Sequence, residues 1–396
     1  LVGSEMCIRD RVNVGIDLGF FHERVNLVVD WYKKVSKDML MSLQLPSYMG
    51  TSGNISSALA APMGNYGDIE NKGWEISLNT RPLIGTFEWD SDFQISFNRN
   101  KLRALDGTAN AQIVGYGQWS DVVSVTNVGE SLYNFYGYVC DGVYEDLEDL
   151  QTSAKPAKYP ANGVFNRTNT VWVGDIKYKD LNGDGVIDEN DRTNIGSPLP
   201  KFTFGWTNTF RYKNFDLSLF INGSYGNKVF NYLGMKLTHM NSPWSNQLNT
   251  VLDRAQIVPI DPNKDYSAGV VVNGVTIHNW YDDITNVRVA NAGTTIPRAS
   301  IQDPNDNDRI SDRYIEDGSY IRLKNITLGY TFPGKIIKKW GLDNLRVYAN
   351  IQNLLTITGY DGYDPEIGAS TASANIYGLD NGRYPCLLYT SPSPRD

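Results

Sequence analysis

The sequence predicts an all-β protein, and three observations favour a transmembrane antiparallel β-barrel. Apolar and polar residues alternate over stretches of about ten residues, which is long enough for a strand to cross a membrane. Some of these stretches are joined by short turns and others by long connections, and such an arrangement is typical of outer-membrane barrels. A run of about 18 apolar residues, which a transmembrane helix would need, occurs nowhere in the sequence.

The clearest alternation runs through residues 87–98 and recurs on both sides of a two-residue turn. In residues 87–98 one face is polar and the other carries five apolar side chains, namely Phe87, Trp89, Phe93, Ile95 and Phe97. Residues 201–212 and 215–222 alternate in the same way, and Lys213 and Asn214 join them. The pattern therefore predicts a hairpin of two long strands.

Weaker signals add further strands and one irregularity. Residues 74–79 and 345–352 also alternate, whereas in residues 321–330 the phase of the alternation slips near Asn325. A slip of this kind predicts a β-bulge. Residues 333–341 contain a pair of lysines and end in Gly341, which predicts a short helical turn between strands.

Long alternating strands suit two architectures. A soluble sandwich buries the apolar face against a second sheet, whereas a membrane barrel turns that face towards lipid and keeps the polar face towards a wet lumen. The strand length and the many aromatic residues favour the barrel, because aromatic side chains near strand ends form girdles at the membrane interfaces. The soluble alternative stays open on the pattern alone.

Composition excludes several classes of protein. The net charge of −8 and the pI near 5.1 argue against nucleic acid as a partner. The three His and three Cys have no zinc-binding spacing. The sequence also contains no GxSxG, HExxH or phosphate-binding loop. We therefore expect no catalytic residues and no enzyme activity.

The two ends do not share the pattern of the rest. Residues 1–11 (LVGSEMCIRDR) and 386–396 (CLLYTSPSPRD) look like translated sequencing-adaptor tails. We treat both as non-native and exclude them from the fold prediction. Residues 12–385 are then expected to form one unit of barrel strands and long extracellular loops.

Residues 180–191, DLNGDGVIDEND, have the spacing of a calcium-binding loop. The oxygen ligands would come from Asp180, Asn182, Asp184, the carbonyl of Val186, Asp188 and Asp191. Extended residues before the loop and prolines after it argue against the paired helices of an EF-hand sensor. Aspartate, asparagine and glycine also favour tight turns without metal. The spacing leaves both a structural Ca²⁺ and a metal-free turn open.

Five segments carry a resemblance to a known family. In chain order they are WYKKVSKDMLMSLQLPSYMG (31–50), NYGDIENKGWEISL (65–78), GDIKYKDLNGDGVIDENDRTNIGSPLPKFTFG (174–205), RYIEDGSYIRLKNITLGYTFP (313–333) and NLRVYANIQNLLTITGYDGYDPEIG (344–368). Through these segments the chain resembles the C-terminal barrel portion of the SusC/RagA family of TonB-dependent outer-membrane transporters. The resemblance runs from about residue 12 to residue 385.

The resemblance implies the C-terminal part of a plugged barrel of about 22 strands in the outer membrane of a Gram-negative cell. The plug, the segment that contacts the TonB complex and the closing C-terminal strand would be missing from this fragment. The whole protein would import an oligosaccharide or a peptide with TonB-derived energy, and a SusD-like surface lipoprotein would be its partner. A siderophore or vitamin receptor is a second alternative, which the acidic loops disfavour.

Aromatic residues in the loops are the candidates for substrate binding, because aromatic faces can stack on sugar rings. They are Trp119, Trp172, Trp244, Trp280 and Tyr281. Packing within a loop or a membrane girdle is the alternative role for each. A soluble or secreted, calcium-stabilised glycan-binding module would share these aromatics and the calcium loop. It would also need a second sheet over the apolar face of residues 87–97.

Overall fold

The main feature of the computed structural model is one antiparallel sheet of nine strands. The structure describes residues 8–42, 63–105, 111–117, 121–368, 375–383 and 389–391. The strands are β1 (Ile8–Phe20), β2 (Val25–Lys37), β3 (Asp68–Leu83), β4 (Phe87–Ala104), β5 (Phe202–Tyr212), β6 (Phe215–Tyr225), β7 (Tyr320–Thr331), β8 (Arg346–Thr358) and β9 (Tyr389–Ser391). Each strand pairs with the next in this series. An up-and-down order of this kind forms the wall of a barrel.

The two rims of this wall differ in the length of their connections. Residues 21–24, 84–86 and 213–214 form short turns, and residues 332–345 form a somewhat longer one at the same rim. Residues 38–67, 105–201, 226–319 and 359–388 connect the strands at the opposite rim. The predicted pattern of short turns and long loops is therefore present, and we call the two edges the turn rim and the loop rim.

Apolar side chains line up in cross-strand rows on one face of the wall. Trp31 pairs with Trp74, which pairs with Phe97 on the next strand. Aromatic rings also stack between β4 and β5, where the Trp89 and Phe210 ring centroids lie 5.8 Å apart. In the described part of the chain no second sheet covers this face, and Trp74 is 50% exposed. The packing that a soluble sandwich requires is absent from these residues.

Ser91 and Asn208 are polar residues on the apolar face, and tryptophan side chains donate hydrogen bonds to both. Ser91 and Asn208 face each other across β4 and β5. The indole of Trp206 donates to Ser91 Oγ at 2.9 Å, and that of Trp89 donates to Asn208 Oδ1 at 3.0 Å. Lipid offers no hydrogen-bond partner, so these bonds remove the cost of placing polar groups on this face.

The predicted irregularities lie where the sequence placed them. The register of β7 shifts between Leu323 and Asn325 against β8, which confirms the bulge. Asn353 on β8 has a φ of 54° beside this shift. The helical turn before β8 is also confirmed: it consists of a helix at Gly334–Ile337 and a 3₁₀ turn at Lys338–Trp340, and Gly341 ends it with a φ of 72°.

The described residues of the long connections fold into a body at the loop rim. Its helices are Leu147–Thr152 and Tyr232–Thr238, with 3₁₀ turns at Glu189–Asp191, Asn249–Asp253, Trp280–Asp282, Ile284–Asn286 and Asp312–Tyr314. Its short strands are Gln112–Tyr116, Val122–Asn127, Phe135–Gly137, Cys140–Val143, Lys155–Pro156, Ile176–Tyr178, Val186–Ile187, Thr193–Gly196, Lys228–Asn231, Ile257–Pro259, Val270–Val272, Val275–Ile277, Val287–Val289, Ile315–Asp317 and Leu379–Asp380. A further small hairpin joins Leu40–Ser42 to Met63–Asn65. We call this assembly the loop body.

The loop body has apolar cores of its own. One cluster contains Leu150, Trp172, Ile176 and Val287, and a second contains Phe135 and Phe230 with Tyr314. Ile376 and Leu379 of the last connection also belong to the second cluster, so residues from three different connections share these cores. The helices in the described residues are only one or two turns long, so none of them provides a helical membrane span.

Part of each adaptor-like tail is placed in the sheet. Residues 8–11 continue β1 opposite β2, and β9 pairs with β8. The other residues of the two tails lie outside the described part of the chain. The division into 1–11, 12–385 and 386–396 stays a prediction.

Candidate functional site in the lumen wall and the loop body

The polar face of the wall carries charged pairs near the turn rim. The Arg211 guanidinium lies 2.6 Å from the Asp90 carboxylate, and Arg81 lies 3.5 Å from the other oxygen of Asp90. Together with Arg24 and Asp92 these residues line a cavity of about 500 Å³. Their side chains alternate with the apolar ones along the same strands, so they face the opposite side of the sheet. This face is the polar lumen wall that the alternation predicts.

A loop from the other rim is held against this wall by Arg322. The side chain of Arg322 is only 3% exposed, and its guanidinium contacts Asp364 at 2.5 Å and Glu366 at 2.7 Å. Lys324 adds an ion pair to Glu366 at 2.9 Å. Residues 364–366 therefore bring a folded loop onto the lumen side of β7.

A buried ion pair anchors the loop body. The Arg298 guanidinium bonds to Asp175 at 2.7 Å, and both side chains are almost fully buried. Asn307 donates to the same carboxylate at 3.1 Å, and the backbone N–H of Trp172 donates to it at 2.8 Å. Burial raises the pKa of Asp175, although Arg298 and these hydrogen bonds act in the opposite direction. The group links segments more than a hundred residues apart.

One of the five predicted substrate-binding aromatics is buried, and another lies outside the part of the chain that the structure describes. Trp172 is 1% exposed and belongs to the first apolar core, so the prediction of a sugar-stacking role does not hold for it. A buried ring has no free face for a sugar. Trp119 lies outside the described residues. Trp244 is 91% exposed and stands on the surface of the loop body.

The remaining two aromatics lie together beside a polar cavity. The rings of Trp280 and Tyr281 meet edge to face with centroids 5.8 Å apart. The Arg167 guanidinium lies 5.1 Å from the centre of the Tyr281 ring and bonds to Asp282 at 3.0 Å. Arg167, Asp282 and His278 line a cavity of about 380 Å³. This cluster places two aromatic rings next to hydrogen-bonding groups, which are the residue types of sugar and peptide sites.

In the predicted calcium loop, most side-chain oxygens are occupied by nearby backbone amides. The Asp180 carboxylate accepts from Gly183 at 2.6 Å and from Gly185 at 2.7 Å, and the amides of Gly185 and Gly183 lower its pKa. Asn182 accepts from the backbone of Asp184, and Asp184 from that of Val186. Gly183 and Gly185 have φ values of 78° and 80°, which favour glycine.

The far end of this loop is fixed in the loop body. Asp191 is fully buried and accepts from the backbone N–H groups of Leu181 and Asp188 at 2.9 and 2.8 Å. Asp188 caps the 3₁₀ turn that follows it. In the described residues, no three carboxylates of this loop converge within 4.8 Å. The conformation is thus that of a turn with Asx hydrogen bonds, and a cation would need the carboxylates to close inward.

A second cluster of metal-ligand residue types was not found from the sequence. His239 Nε2 lies 3.0 Å from Asp303, and Nδ1 lies 3.1 Å from Asp308. Both ring nitrogens already face carboxylates, so the imidazole joins two parts of the loop body by hydrogen bonds. Residues about 64 positions apart form this group, which is why spacing along the chain gave no signal.

The free thiol of Cys140 lies in the loop body. Burial raises the pKa of Cys140 to about 12. Its backbone N–H donates to Asp312 at 2.9 Å. The thiol is therefore protonated at neutral pH and unreactive.

Sequence and structure comparisons agree with this architecture, although no protein-family model matches the chain. TonB-dependent receptor P3 of Formosa agariphila is 32% identical over 383 residues, which are 95% of this chain and 32% of that receptor. TonB-dependent receptor SusC of Bacteroides thetaiotaomicron is 27% identical over 369 residues, which are 92% of this chain and 30% of that receptor. The solved RagAB peptide transporter matches with a TM-score of 0.64 and 19% identity, over 95% of this chain and 34% of that one. The chain belongs to the SusC/RagA family of TonB-dependent receptors.

The family membership settles two of the predictions. The nine-stranded sheet is part of a transmembrane antiparallel barrel, so the predicted fold class is confirmed. The relatives of this SusC/RagA segment are named as receptors and transporters, which confirms that it is not an enzyme. The chain spans about a third of the length of these relatives.

Proposed function

We propose that the whole protein containing this SusC/RagA segment imports a nutrient across the outer membrane with TonB-derived energy. One observation carries the proposal. The wall has one apolar and one charged face, and relatives named TonB-dependent receptors match it along 95% of the chain. A two-faced wall of this kind separates lipid from a wet passage. The TonB complex would act through parts of the protein outside this segment.

The cargo that we propose is an oligosaccharide or a peptide. Trp280 and Tyr281 lie next to a cavity that Arg167 and Asp282 line. Rings stack on sugars, and the charged groups bond to hydroxyls or to peptide groups. The similar solved structure is that of the RagAB peptide transporter and another relative is named SusC, so both cargo classes stay in the proposal.

A SusD-like lipoprotein is the partner that we propose for the loop rim. The loop body offers a folded platform for it, because its cores and the Arg298–Asp175 pair hold the long connections together. A surface of this kind needs little reorganisation on binding, and preorganisation favours affinity.

The test uses the full-length protein, expressed from the gene of the source organism. The full-length protein should fractionate with the outer membrane as a heat-modifiable barrel and co-purify with a neighbouring lipoprotein. Uptake of labelled oligosaccharides and peptides would then identify the cargo, with an iron chelate as the third probe. A protein that stays in the soluble fraction would falsify the importer proposal.

Paired variants test the cargo site. Changing Trp280 and Tyr281 to Ala should lower cargo binding by about tenfold or more, since each stacked ring contributes about 0.5–1.5 kcal/mol. Trp244→Ala serves as the matched control, because this ring is the most exposed of the candidate aromatics that the structure describes. Equal binding by both variants would place the cargo elsewhere.

We also propose a structural Ca²⁺ in residues 180–191, held by Asp180, Asn182, Asp184, Val186, Asp188 and Asp191. The spacing supports this proposal, and four acidic side chains provide the hard oxygen ligands that Ca²⁺ prefers. When bound, the ion would fix the loop and supply no reaction chemistry.

The calcium proposal is tested by removing the ion or its ligands from the full-length protein. A chelator should increase hydrogen exchange in residues 180–191, and added Ca²⁺ should restore the protection. The double variant D180N/D184N should lose this dependence of exchange on Ca²⁺. The control D141N should keep it, because Asp141 lies outside the loop, in the strand Cys140–Val143. Protection that is independent of Ca²⁺ would leave the metal-free turn as the correct description.

A further inference from the structure

The apolar face of the wall ends in a row of basic residues towards the loop rim. Lys33 on β2 pairs with Lys72 on β3, and Lys72 pairs with Arg99 on β4. Each of these residues is two positions along its strand, towards the loop rim, from a member of the row formed by Trp31, Trp74 and Phe97. Because side chains alternate between the two faces, all six lie on the same, outward face. We call Lys33, Lys72 and Arg99 the basic row.

Like charges directly opposite each other destabilise a sheet, and the protein neutralises this row only in part. Lys33 shares the nearby Glu70 carboxylate with Arg103, at 3.5 and 2.5 Å respectively. Arg99 donates to the backbone carbonyls of Asn98 and Lys201. Within the described ranges, neither Lys72 nor Arg99 forms an ion pair with a carboxylate. The row therefore presents unpaired positive charge at the outer surface.

The height of the row matches the edge of a membrane. At about 3.4 Å per residue, Arg99 lies about 40 Å along β4 from Phe87. A strand tilt of about 45° reduces this distance to a height of roughly 29 Å, slightly more than the ~25 Å of an apolar band. The row thus lies just above the hydrocarbon, where lipid headgroups are found.

The opposite end of the apolar face has a different chemistry. At the turn rim, Phe87, Tyr212, Phe215 and Tyr330 form a continuous aromatic row across four strands. Aromatic rings suit a membrane interface of either leaflet. This aromatic row itself contains no basic residue, so the two ends of the apolar face differ in the side chains that they carry.

We propose that the basic row binds the phosphate groups of anionic lipids in the leaflet at the loop rim. Lysine and arginine are the side chains that bind phosphate, and arginine can do so with two parallel hydrogen bonds. A lipid phosphate placed over the row would relieve the repulsion between the three cations. The acyl chains of the same lipid would cover Trp31, Trp74 and Phe97. This inference rests on the proposed location in the outer membrane, and it adds a specific lipid as a partner of the protein.

The experiment measures lipid binding by the full-length protein in detergent micelles. The probe is a bisphosphorylated glucosamine disaccharide lipid, compared with the same lipid without its phosphates. Wild-type protein should bind the phosphorylated form at least tenfold more tightly, and high salt should reduce this preference. The triple variant K33Q/K72Q/R99Q should lose at least tenfold in affinity for it.

Matched variants separate the row from a general loss of charge. K335Q/K338Q/K339Q removes three exposed lysines at the turn rim and should bind like the wild type. Arg99→Lys keeps the charge and should keep most of the affinity. If the triple variant does not fold, Lys72→Gln alone should still weaken binding severalfold, because Lys72 has the least neutralised position in the row.

Several outcomes would overturn the proposal. Equal binding by the wild type and the triple variant would remove the row from the site. If inorganic phosphate abolished binding of the phosphorylated lipid completely, the row would be a site for free anions instead. A protein that inserts as a heat-modifiable barrel but ignores the lipid phosphates contradicts only this inference, whereas a protein that fails to insert contradicts the importer proposal as well.

Discussion

The barrel wall and the loop body treat apolar side chains in opposite ways. On the wall, Val14 and Trp74 are 57% and 50% exposed, and their neighbours form continuous rows that no other layer of the described residues covers. In the loop body, Phe135, Phe230 and Trp172 are buried in cores. The wall of this SusC/RagA segment thus depends on lipid to cover its apolar face, whereas the loop body covers its own.

The charged groups follow the same division. Arg298 and Asp175 are buried in the loop body, where only their mutual contact and hydrogen bonds offset the loss of water. The wall pairs such as Arg346 and Asp216 stay partly solvated, with side chains 41% and 25% exposed. We therefore expect single substitutions to lower the free energy of unfolding most inside the loop body and least on the lumen wall.

The largest effect is expected for Arg298→Ala. It leaves the Asp175 carboxylate buried without its counter-charge, which costs about 3–5 kcal/mol of the free energy of unfolding of the surrounding structure. Hydrogen exchange of residues 171–178 in the full-length protein measures this loss. The barrel should remain heat-modifiable, and a cost below about 1 kcal/mol would show that the pair does not anchor the loop body.

A charge on the lipid face of the wall should have the next largest effect. Leu219→Arg places a guanidinium near the middle of the apolar face of β6 and should destabilise the barrel by about 2–4 kcal/mol. The neighbouring Ser218→Arg points into the lumen and should cost less than about 1 kcal/mol. Urea-induced unfolding in lipid vesicles compares the two, and equal costs would contradict the assignment of the faces.

A smaller effect is expected for Arg346→Gln on the lumen wall. The ion pair with Asp216 is partly exposed, and pairs of this kind contribute about 0.2–1 kcal/mol. The same vesicle assay measures the change in the free energy of unfolding. A loss of stability as large as that of Arg298→Ala would mean that this ion pair is as poorly solvated as the pair in the loop body.

The smallest effect concerns the acid sensitivity of Asp149. Burial acts to raise the pKa of Asp149, but hydrogen bonds from Lys177, the Glu145 backbone and Ser153 lower it below its ordinary value of 3.8. A lowered pKa means that this carboxylate stabilises the folded loop above pH 3.8 and loses its contribution as the pH falls through the lowered pKa. Below pH 3.8 the hydrogen-exchange protection of residues 145–153 should fall in the wild type.

Asp149→Asn is the control for this pH dependence. The amide does not titrate, so the variant should be less protected than the wild type at neutral pH and should show little further change on acidification. A wild-type profile that is flat between pH 5 and pH 2 would contradict the role of Asp149.

The sequence by itself determined the wall. Alternation with a period of two fixes which side chains share a face, and the faces of residues 87–98 lie as predicted. The turn at Lys213 and Asn214 and the bulge near Asn325 also follow from local chemistry and phase. These features depend only on residues that are close in sequence, and so they can be predicted without knowledge of the fold.

The tertiary structure alone decided how the long connections are used. The burial of Trp172, the contact between Trp280 and Tyr281 beside Arg167, and the His239 cluster depend on segments that are distant in sequence. The basic row likewise depends on the register of three strands, which sets Lys33 beside Lys72 and Lys72 beside Arg99. Local patterns fix the direction in which a side chain points, but packing and register decide which other residues it meets.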